Sequence, residues 1–289
     1  MGVVNTGFKR RARLLGEALR PPKLAAPTGE AAAKPARPPK RTQEVDYSVP
    51  IRPREVESPV FVIASVRSGS TLLRMLLNSH SRIRAPHELH LRTVGVQLTP
   101  GFSEESMREL GLDQVELEHV LWDRVLKLEL LRSGKQIIVD KTPGNVFTWE
   151  RLKYAWPNAK FLILLRHPEG VVSSLANRKN NAATRETLEA NALKYFKPLD
   201  KARRTLGGLT LRYEELTAEP ERVTREVCAY LGVDWEPGML EYGEHDHGEF
   251  LPNLGDRSDN IKSGRIQAAR TFDETSPTLA KYAKAWGYA

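Results

Sequence analysis

The chain has 289 residues and a formal net charge of +8, and 40% of its residues are hydrophobic. This size fits one large α/β domain or two smaller domains. No apolar run approaches the roughly 18 residues that a membrane span needs, which argues against an integral membrane protein. The single cysteine, Cys228, excludes an internal disulfide and fits a reducing compartment, so we expect a cytoplasmic protein.

The N-terminal part carries most of the charge. Residues 1–45 contain ten Lys and Arg and three Glu, a net +7, whereas the rest of the chain is close to neutral at +1. Residues 21–42 are rich in Pro and Ala and lack periodic apolar positions, so we predict a disordered basic tail over residues 1–50 and a folded domain over 57–289. A solvated tail is the simplest interpretation, and contact with an acidic partner or weak contact with a membrane surface is the alternative. A near-neutral domain without interleaved aromatic residues argues against a nucleic-acid partner.

The next segment combines an apolar strand, predicted over 59–66, with a polar turn and a helix predicted over 71–79. Such a unit binds phosphates, because the helix N-terminus presents unpaired N–H groups and a partial positive charge. The turn supplies an Arg, hydroxyl groups and a glycine that permits close approach. Its residues are Arg67, Ser68, Gly69, Ser70 and Thr71. The Gly-Lys pair of a nucleotide-triphosphate loop is absent, so we predict that the turn binds an anion other than Mg-ATP.

Downstream, helices alternate with strands, and residues 85–100 form a mixed segment between the first helix and the next. Helical periodicity predicts helices over 103–133 (as one or two), 146–155, 168–179, 184–205 and 219–231, and a short one near the C-terminus. Short apolar runs predict strands over 137–140, 160–165 and 209–212. This alternation predicts a single doubly wound α/β domain with a central, mostly parallel sheet flanked by helices.

The strand over 160–165 begins a second candidate anion site. Arg166 ends this strand, so its side chain is expected at the carboxyl edge of the sheet, where open α/β sheets bind ligands. Pro168 suits the first turn of the following helix. On that helix, Ser174 and Arg178 are four residues apart and share a face. The three side chains form a cluster that is able to surround a second phosphate.

The two elements together resemble the sulfotransferases that use 3′-phosphoadenosine-5′-phosphosulfate (PAPS). In that family, a loop of Arg-Ser-Gly and two Ser or Thr residues holds the 5′-phosphosulfate, and residues 67–71 match it. A strand-end Arg and a Ser eight residues later hold the 3′-phosphate, as Arg166 and Ser174 would here, and Arg178 matches a further Arg of the protein-tyrosine sulfotransferase branch. Val66 departs from the family, which usually has Pro there. The resemblance spans about residues 57–265 and implies a P-loop-like sulfotransferase fold.

The resemblance also implies the chemistry. The sulfuryl group would move from PAPS to a hydroxyl of a small molecule, glycan, lipid or tyrosine, without a metal. Arg67 and Lys141 would compensate the developing charge. Lys141 lies in the segment Asp140-Lys141-Thr142-Pro143, which resembles the family segment beside the sulfate. Tyr213, in a strand-end Tyr-Glu-Glu-Leu sequence, and Lys262, in a late basic loop, would contact the nucleotide.

The acceptor hydroxyl needs a base. In the tyrosine sulfotransferases a Glu that follows the loop Arg by 21 positions serves as the base, and Glu88 stands at that offset from Arg67. His87 and His90 flank it, and a His base, as in the cytosolic sulfotransferases of this superfamily, is the alternative. The His87-Glu88-Leu89-His90 sequence lacks the HExxH spacing of a zinc site, so we predict no metal.

Two other classes of function remain as alternatives. One is an atypical P-loop kinase or phosphotransferase, which the missing Gly-Lys pair argues against. The other is a non-catalytic nucleotide-binding protein. Thermal stability measured with added 3′,5′-adenosine bisphosphate (PAP) or with Mg-ATP would separate these hypotheses, because a specific ligand stabilises the folded state by mass action.

Overall fold

The computed structural model describes residues 54–177, 182–249, 255 and 258–288. Every described residue belongs to one compact unit, Tyr47–Ala289. The tail predicted over residues 1–50 therefore lies outside the described residues. Within the described ranges, no helix has the length and apolar character that crossing a bilayer demands.

Among the described residues, five parallel strands form one sheet in the order β2-β3-β1-β4-β5. The strands are β1 (Val60–Ala64), β2 (Ile83–Arg84), β3 (Ile137–Asp140), β4 (Lys160–Leu165) and β5 (Leu209–Arg212). The predicted bounds of β3, β4 and β5 are confirmed, and β1 is shorter than predicted. The sequence did not predict β2, because two residues are too short to show a period.

The helices that cover the sheet are named in chain order. They are α1 (Ser70–Ser79), α2 (Phe102–Glu109), α3 (Gln114–Ser133), α4 (Trp149–Ala155), α5 (Pro168–Ala176), α6 (Arg185–Thr205), α7 (Tyr213–Ala218), α8 (Pro220–Leu231), α9 (Asp259–Lys262) and α10 (Pro277–Ala285). The predicted helical stretch over 103–133 is two helices, because α2 ends before Gly111, which has a positive φ of 66°. The short α7 and α9 were not predicted.

Alternate side chains of the strands enter two hydrophobic cores, one on each face of the sheet. Phe61 and Ile63 of β1 pack in one core with α3 to α6 and α10, whereas Val60 and Val62 pack in the other with α1 and α8. This alternation follows from the two-residue period of a strand, and burial on both faces explains why the strands read as continuous apolar runs.

The strand order places the ligand-binding edge. β1 pairs with β3 on one side and with β4 on the other, so the chain reverses its direction of winding at β1. Open parallel sheets bind ligands in the crevice at the carboxyl ends of strands that flank such a reversal. Here that edge receives the loop after β1, the segment after β3 and the turn after β4. Each of these three segments carries residues that the sequence predicts to be functional, and so does the segment after β2, which contains Glu88.

Candidate active site

The loop after β1 has a tightly folded backbone. Arg67 and Gly69 have positive φ angles of 60° and 83°. The Ser68 side chain is fully buried, and its hydroxyl donates a 2.8 Å hydrogen bond to the Ser65 carbonyl oxygen. The Ser68 hydroxyl, predicted as an anion donor, is therefore used within the loop. A non-glycine residue at positive φ is strained, and such strain concentrates at functional sites.

The loop leads directly into the N-terminus of α1. Gly69 is the N-cap residue, and it has no side chain to bond to the first-turn N–H groups. The first turn also contains no acidic residue. The Tyr213 ring packs against Gly69 so closely that a Cβ atom at this position would overlap it. The loop is thus shaped so that an anion can meet the backbone of a helix N-terminus, with Ser70 and Thr71 in its first turn.

The residues of the second predicted anion site lie against this loop. The Arg67 Nε donates to the Ser174 hydroxyl at 3.0 Å, and the Arg166 Nη1 donates to the Arg67 carbonyl oxygen at 2.7 Å. The Arg166 guanidinium carbon lies 4.4 Å from the centre of the Tyr213 ring. Gly170, in the first turn of α5, leaves room for the Arg166 side chain. The structure therefore brings Arg67, Arg166, Ser174 and Tyr213 into one cluster.

For two other residues that were predicted to bind the nucleotide, the structure shows no contact with this cluster among the described residues. Arg178 lies outside the described residues. Lys262 is exposed on the short helix α9, so its role stays a prediction. Within the cluster, burial lowers the pKa of Arg166, and the neighbouring Tyr213 and Glu214 partly oppose this shift. An arginine remains a cation after such a shift, so it keeps its charge for an anion.

A second cluster forms where the segment after α1 meets the end of β3. The Lys141 Nζ lies 2.5 Å from the Glu88 Oε1, and the His90 Nε2 lies 3.2 Å from the Glu88 Oε2. Glu88 and Lys141 are buried, while the His90 side chain is 41% exposed. Burial lowers the pKa of Lys141, and the Glu88 carboxylate opposes that shift. His87 is exposed, and its ring Nδ1 contacts the Glu88 carbonyl oxygen rather than the carboxylate.

Atoms from three segments of the carboxyl edge surround one point. A Cβ added to Gly255 would lie 3.6 Å from the Thr71 Oγ1, 3.8 Å from the Lys141 Nζ and 3.9 Å from the Glu88 Oε1. A hydroxyl group of the anion loop, a cation and a carboxylate thus all lie within 4 Å of one point beside the Gly255 backbone. Such a set can bind an anion, compensate its charge and accept a proton.

A buried carboxylate that the sequence did not predict as a site residue supports this cluster. The Asp140 side chain accepts hydrogen bonds from the Thr142 hydroxyl at 2.8 Å, the Asn145 amide at 3.0 Å and the Leu89 backbone N–H. The Thr142 hydroxyl in turn accepts from the His90 N–H at 3.2 Å. Burial raises the pKa of Asp140, and these hydrogen bonds oppose the shift. The feature of the sequence that could have identified Asp140 as a supporting residue is its position directly before Lys141.

The backbone at His90 shows the same pattern as the anion loop. His90 has a φ of 50°, and it shares this left-handed conformation with Arg67 among the described residues other than glycine. Both residues flank the groups that converge at the site, and both are held by hydrogen bonds to their backbones. The strained positions therefore mark the two segments that carry the predicted anion-binding and base residues.

The chain matches the model of the sulfotransferase family over residues 59–237. This match includes the anion loop, the Glu88–Lys141 pair and the Arg166–Ser174 pair. The chain belongs to the sulfotransferase family. The resemblance read from the two anion-binding elements is confirmed.

Named relatives within this family include the chicken protein-tyrosine sulfotransferase 2, which is 25% identical over 205 residues. The match covers 65% of this chain and 55% of the relative. The nodulation protein NoeE of Sinorhizobium fredii is 25% identical over 235 residues, with 68% and 55% of the two chains covered. The chain thus spans about half the length of these curated relatives.

Solved structures show the same fold. The sulfotransferase domain from the curacin biosynthetic pathway superimposes with a TM-score of 0.59 and 22% identity, covering 80% of this chain and 98% of that domain. The sulfotransferase domain of the Synechococcus PCC 7002 olefin synthase superimposes with a TM-score of 0.58 and 20% identity, covering 83% and 99%. The predicted sulfotransferase fold is therefore confirmed.

The described residues contain no group of three or more His, Cys, Asp or Glu side chains arranged to hold a metal ion. The two histidines of the His245-Asp246-His247 sequence contact backbone carbonyl groups. The His245 Nε2 lies 3.1 Å from the Gly238 carbonyl oxygen, and the His247 Nε2 lies 2.7 Å from that of Tyr242.

Proposed function

We propose that this protein transfers a sulfuryl group from PAPS to a hydroxyl group of an acceptor, and that it does so without a metal ion. The observation that carries the proposal is the convergence of the Thr71 hydroxyl, the Lys141 ammonium and the Glu88 carboxylate around one point. These atoms come from the ligand-binding edge of a sulfotransferase fold, beside a loop shaped for an anion.

The residues present fit a donor with two separate anionic groups. The loop N–H groups, Ser70 and Thr71 would hold the phosphosulfate end, because they lie at the N-terminus of α1. Arg166 and Ser174, which both contact Arg67, would hold the 3′-phosphate. When bound, PAPS supplies an activated sulfuryl group and a phosphate leaving group.

Glu88 is the proposed base. Lys141 holds its Oε1, whereas its Oε2 contacts His90, which is partly exposed and can yield its place to an acceptor hydroxyl. The proton that this hydroxyl loses would pass to the Glu88 carboxylate. The buried Lys141 would then stabilise negative charge that develops beside it, because charge interactions are stronger in a site that excludes water.

The base assignment is tested by Glu88→Gln in a transfer assay with labelled PAPS. Gln keeps the size of the side chain and much of its hydrogen bonding but cannot take a proton. We expect turnover to fall about 10²- to 10⁴-fold, the usual contribution of a general base, with PAP affinity nearly unchanged. His87→Ala and His90→Ala are the matched controls, and each should lose less turnover than Glu88→Gln. Near-normal turnover of Glu88→Gln together with collapse of one His variant would assign the base to that histidine.

The donor class is tested separately from the base. Turnover should survive EDTA, and PAP should raise the melting temperature more than Mg-ATP does, since a specific ligand stabilises the folded state. Loss of activity on chelation that magnesium restores would favour the kinase alternative. Binding of PAP without transfer to any hydroxyl of an acceptor panel would favour the non-catalytic alternative.

We further infer a cytoplasmic location from the lone cysteine, whose side chain is buried and has no second cysteine to pair with. The acceptor class is proposed only as a hydroxyl compound. A panel of phenols, sugars, lipids and tyrosine peptides, assayed with labelled PAPS, would identify it. Fractionation of cells that express the protein would test the location.

A further inference from the structure

Two buried polar residues of α1 are not explained by anion binding. All ten residues of α1 are buried, yet Arg74 and Asn78 lie one turn apart on it, with exposures of 7% and 4%. Buried polar groups need hydrogen-bond partners, because each unpaired group is costly. The partners here belong to a segment outside the helix. In the sequence, two polar residues four apart in a mostly apolar helix indicate that such partners exist, although not which groups they are.

Both side chains bind the same residue. The Arg74 Nη1 donates to the Ala85 carbonyl oxygen at 3.2 Å, and the Asn78 Oδ1 accepts from the Ala85 N–H at 3.0 Å. Ala85 itself is fully buried. The helix therefore holds Ala85 through both of its backbone polar groups. We refer to residues 85–90, which begin here and include Glu88, as the base segment.

The base segment has no helix or strand of its own to fix it. Its far end is held by β3 and the residues after it, since Asp140 accepts from the Leu89 N–H and Thr142 accepts from the His90 N–H. Glu88 therefore lies between two anchored ends. The position of its carboxylate against Lys141 depends on both anchors, and the near anchor is supplied by α1 together with β2, which ends at Arg84 and pairs with β3.

The orientation of the Asn78 amide is set by a third segment. The Asn78 Nδ2 lies 3.1 Å from the His247 Nδ1, and the His247 Nε2 lies 2.7 Å from the Tyr242 carbonyl oxygen. A carbonyl oxygen only accepts, so the His247 Nε2 carries the proton and its Nδ1 accepts. The Asn78 NH₂ group must then face His247, which turns its oxygen to the Ala85 N–H.

We propose that Asn78, together with Arg74, is a positioning residue that fixes the proposed base Glu88 against Lys141 by holding Ala85. This inference rests on the proposed role of Glu88. Both residues act through the base segment. Misplacing a catalytic group by about 1 Å is enough to cost about 100-fold in rate.

The test compares Asn78→Leu with Asn78→Asp. Leu has a similar volume but no acceptor, whereas Asp keeps an oxygen for the Ala85 N–H. Turnover is expressed per PAP-binding site, measured by calorimetry, so that loss of folded protein does not lower it. We expect a fall of about 10- to 100-fold for Asn78→Leu with unchanged PAP affinity, and recovery to within about fivefold for Asn78→Asp.

Ser79→Ala is the matched control. Ser79 is the next buried polar residue of α1, but its hydroxyl donates to the Met75 carbonyl oxygen within the helix, at 3.0 Å. Its removal should leave turnover per site within about twofold of wild type, because such a change is local to the helix. If Asn78→Leu also stays within twofold, the inference is overturned. Should Asn78→Leu fail to fold, Arg74→Lys replaces it, because Lys keeps the charge but loses the planar donors. The same fall in turnover per PAP-binding site is then expected, and turnover within twofold of wild type overturns the inference.

A double variant shows whether Asn78 acts through Glu88. Once Glu88→Gln has removed the base, adding Asn78→Leu should cost little further turnover, since residues that act as one unit are not additive. A full additional loss would overturn the inference while leaving the base assignment intact. If Glu88→Gln alone retains wild-type turnover, the base assignment fails, and the inference fails with it, which that single variant reveals directly.

Discussion

Arg166 is the residue at which one substitution best tests the placement of the donor. Its side chain donates to the Arg67 carbonyl oxygen at 2.7 Å and stacks on the Tyr213 ring. Arg166→Met keeps an unbranched apolar stem but removes the planar group of donors. The substitution therefore acts at the predicted 3′-phosphate site and on the loop that holds the other end of the donor.

The magnitude follows from the contacts that are lost. The hydrogen bond from Arg166 to the charged 3′-phosphate contributes about 1.5–3 kcal/mol. The hydrogen bond from Arg166 to the Arg67 carbonyl oxygen contributes about 0.5–1 kcal/mol, because water can take over part of the role of the lost donor. The sum is about 2–4 kcal/mol, which corresponds to about 30- to 1000-fold weaker binding of PAP. The PAP affinity of Arg166→Lys should lie between those of Arg166→Met and wild type, because Lys retains the charge but lacks the planar group of donors.

The assay is calorimetric titration of PAP into each purified variant, after a thermal melt has shown that it is folded. Arg225→Met is the matched control, since it removes the same charge from α8, where Arg225 is 53% exposed and pairs with Glu221. Its PAP affinity should stay within about twofold, as expected for a surface ion pair. If Arg166→Met binds PAP as tightly as wild type, the nucleotide does not lie at the end of β4.

Three further predictions concern single side chains. Gly69→Ala should lower both the melting temperature and PAP affinity, because position 69 has a positive φ and no space for a Cβ beside Tyr213; a variant with wild-type values would contradict the tight loop. Burial lowers the pKa of His119 from 6.5 to about 3, so the unfolded chain binds its proton first and stability falls as the pH drops below about 6.5. His119→Gln, which keeps an acceptor for the Arg151 Nε, should reduce the loss of unfolding free energy between pH 7 and pH 5 by about 2 kcal/mol in urea titrations, and an unchanged loss would refute this. Burial raises the pKa of Cys228 to about 11, so Ellman's reagent at pH 8 should label no thiol in the native protein and one in guanidinium chloride.

Local patterns in the sequence were sufficient for much of the sheet and for the anion loop. The runs over 137–140, 160–165 and 209–212 are apolar and sharply bounded, and each is a strand with those bounds. The turn at residues 67–71 follows such a run and precedes a helix, and this order alone predicts a helix N-terminus open to an anion. These features depend on residues that are close together in the chain, so they can be predicted from the sequence alone.

Contacts between distant segments required the tertiary structure. Arg67 and Ser174 are 107 residues apart, and Lys141 and Glu88 are 53 apart. Motif similarity predicted that these residues serve one site, but not which side chains touch. The partners of Arg74 and Asn78 were not predicted at all, because a polar residue on an apolar helix gives no indication of the backbone group that it will meet.

The sequence by itself determined four of the five described strands, the longer helices and the type of anion loop, because short-range periodicity and turn chemistry specify them. The tertiary structure alone decided which strand ends meet. The register of β1 against β4, in which Ala64 pairs with Leu164, places Arg166 beside the Arg67 loop. Pairing of β1 with β3, in which Phe61 lies opposite Asp140, brings the Lys141 segment to the same edge. Strand order and register arise from packing of the whole sheet between its two cores, and no local pattern encodes them.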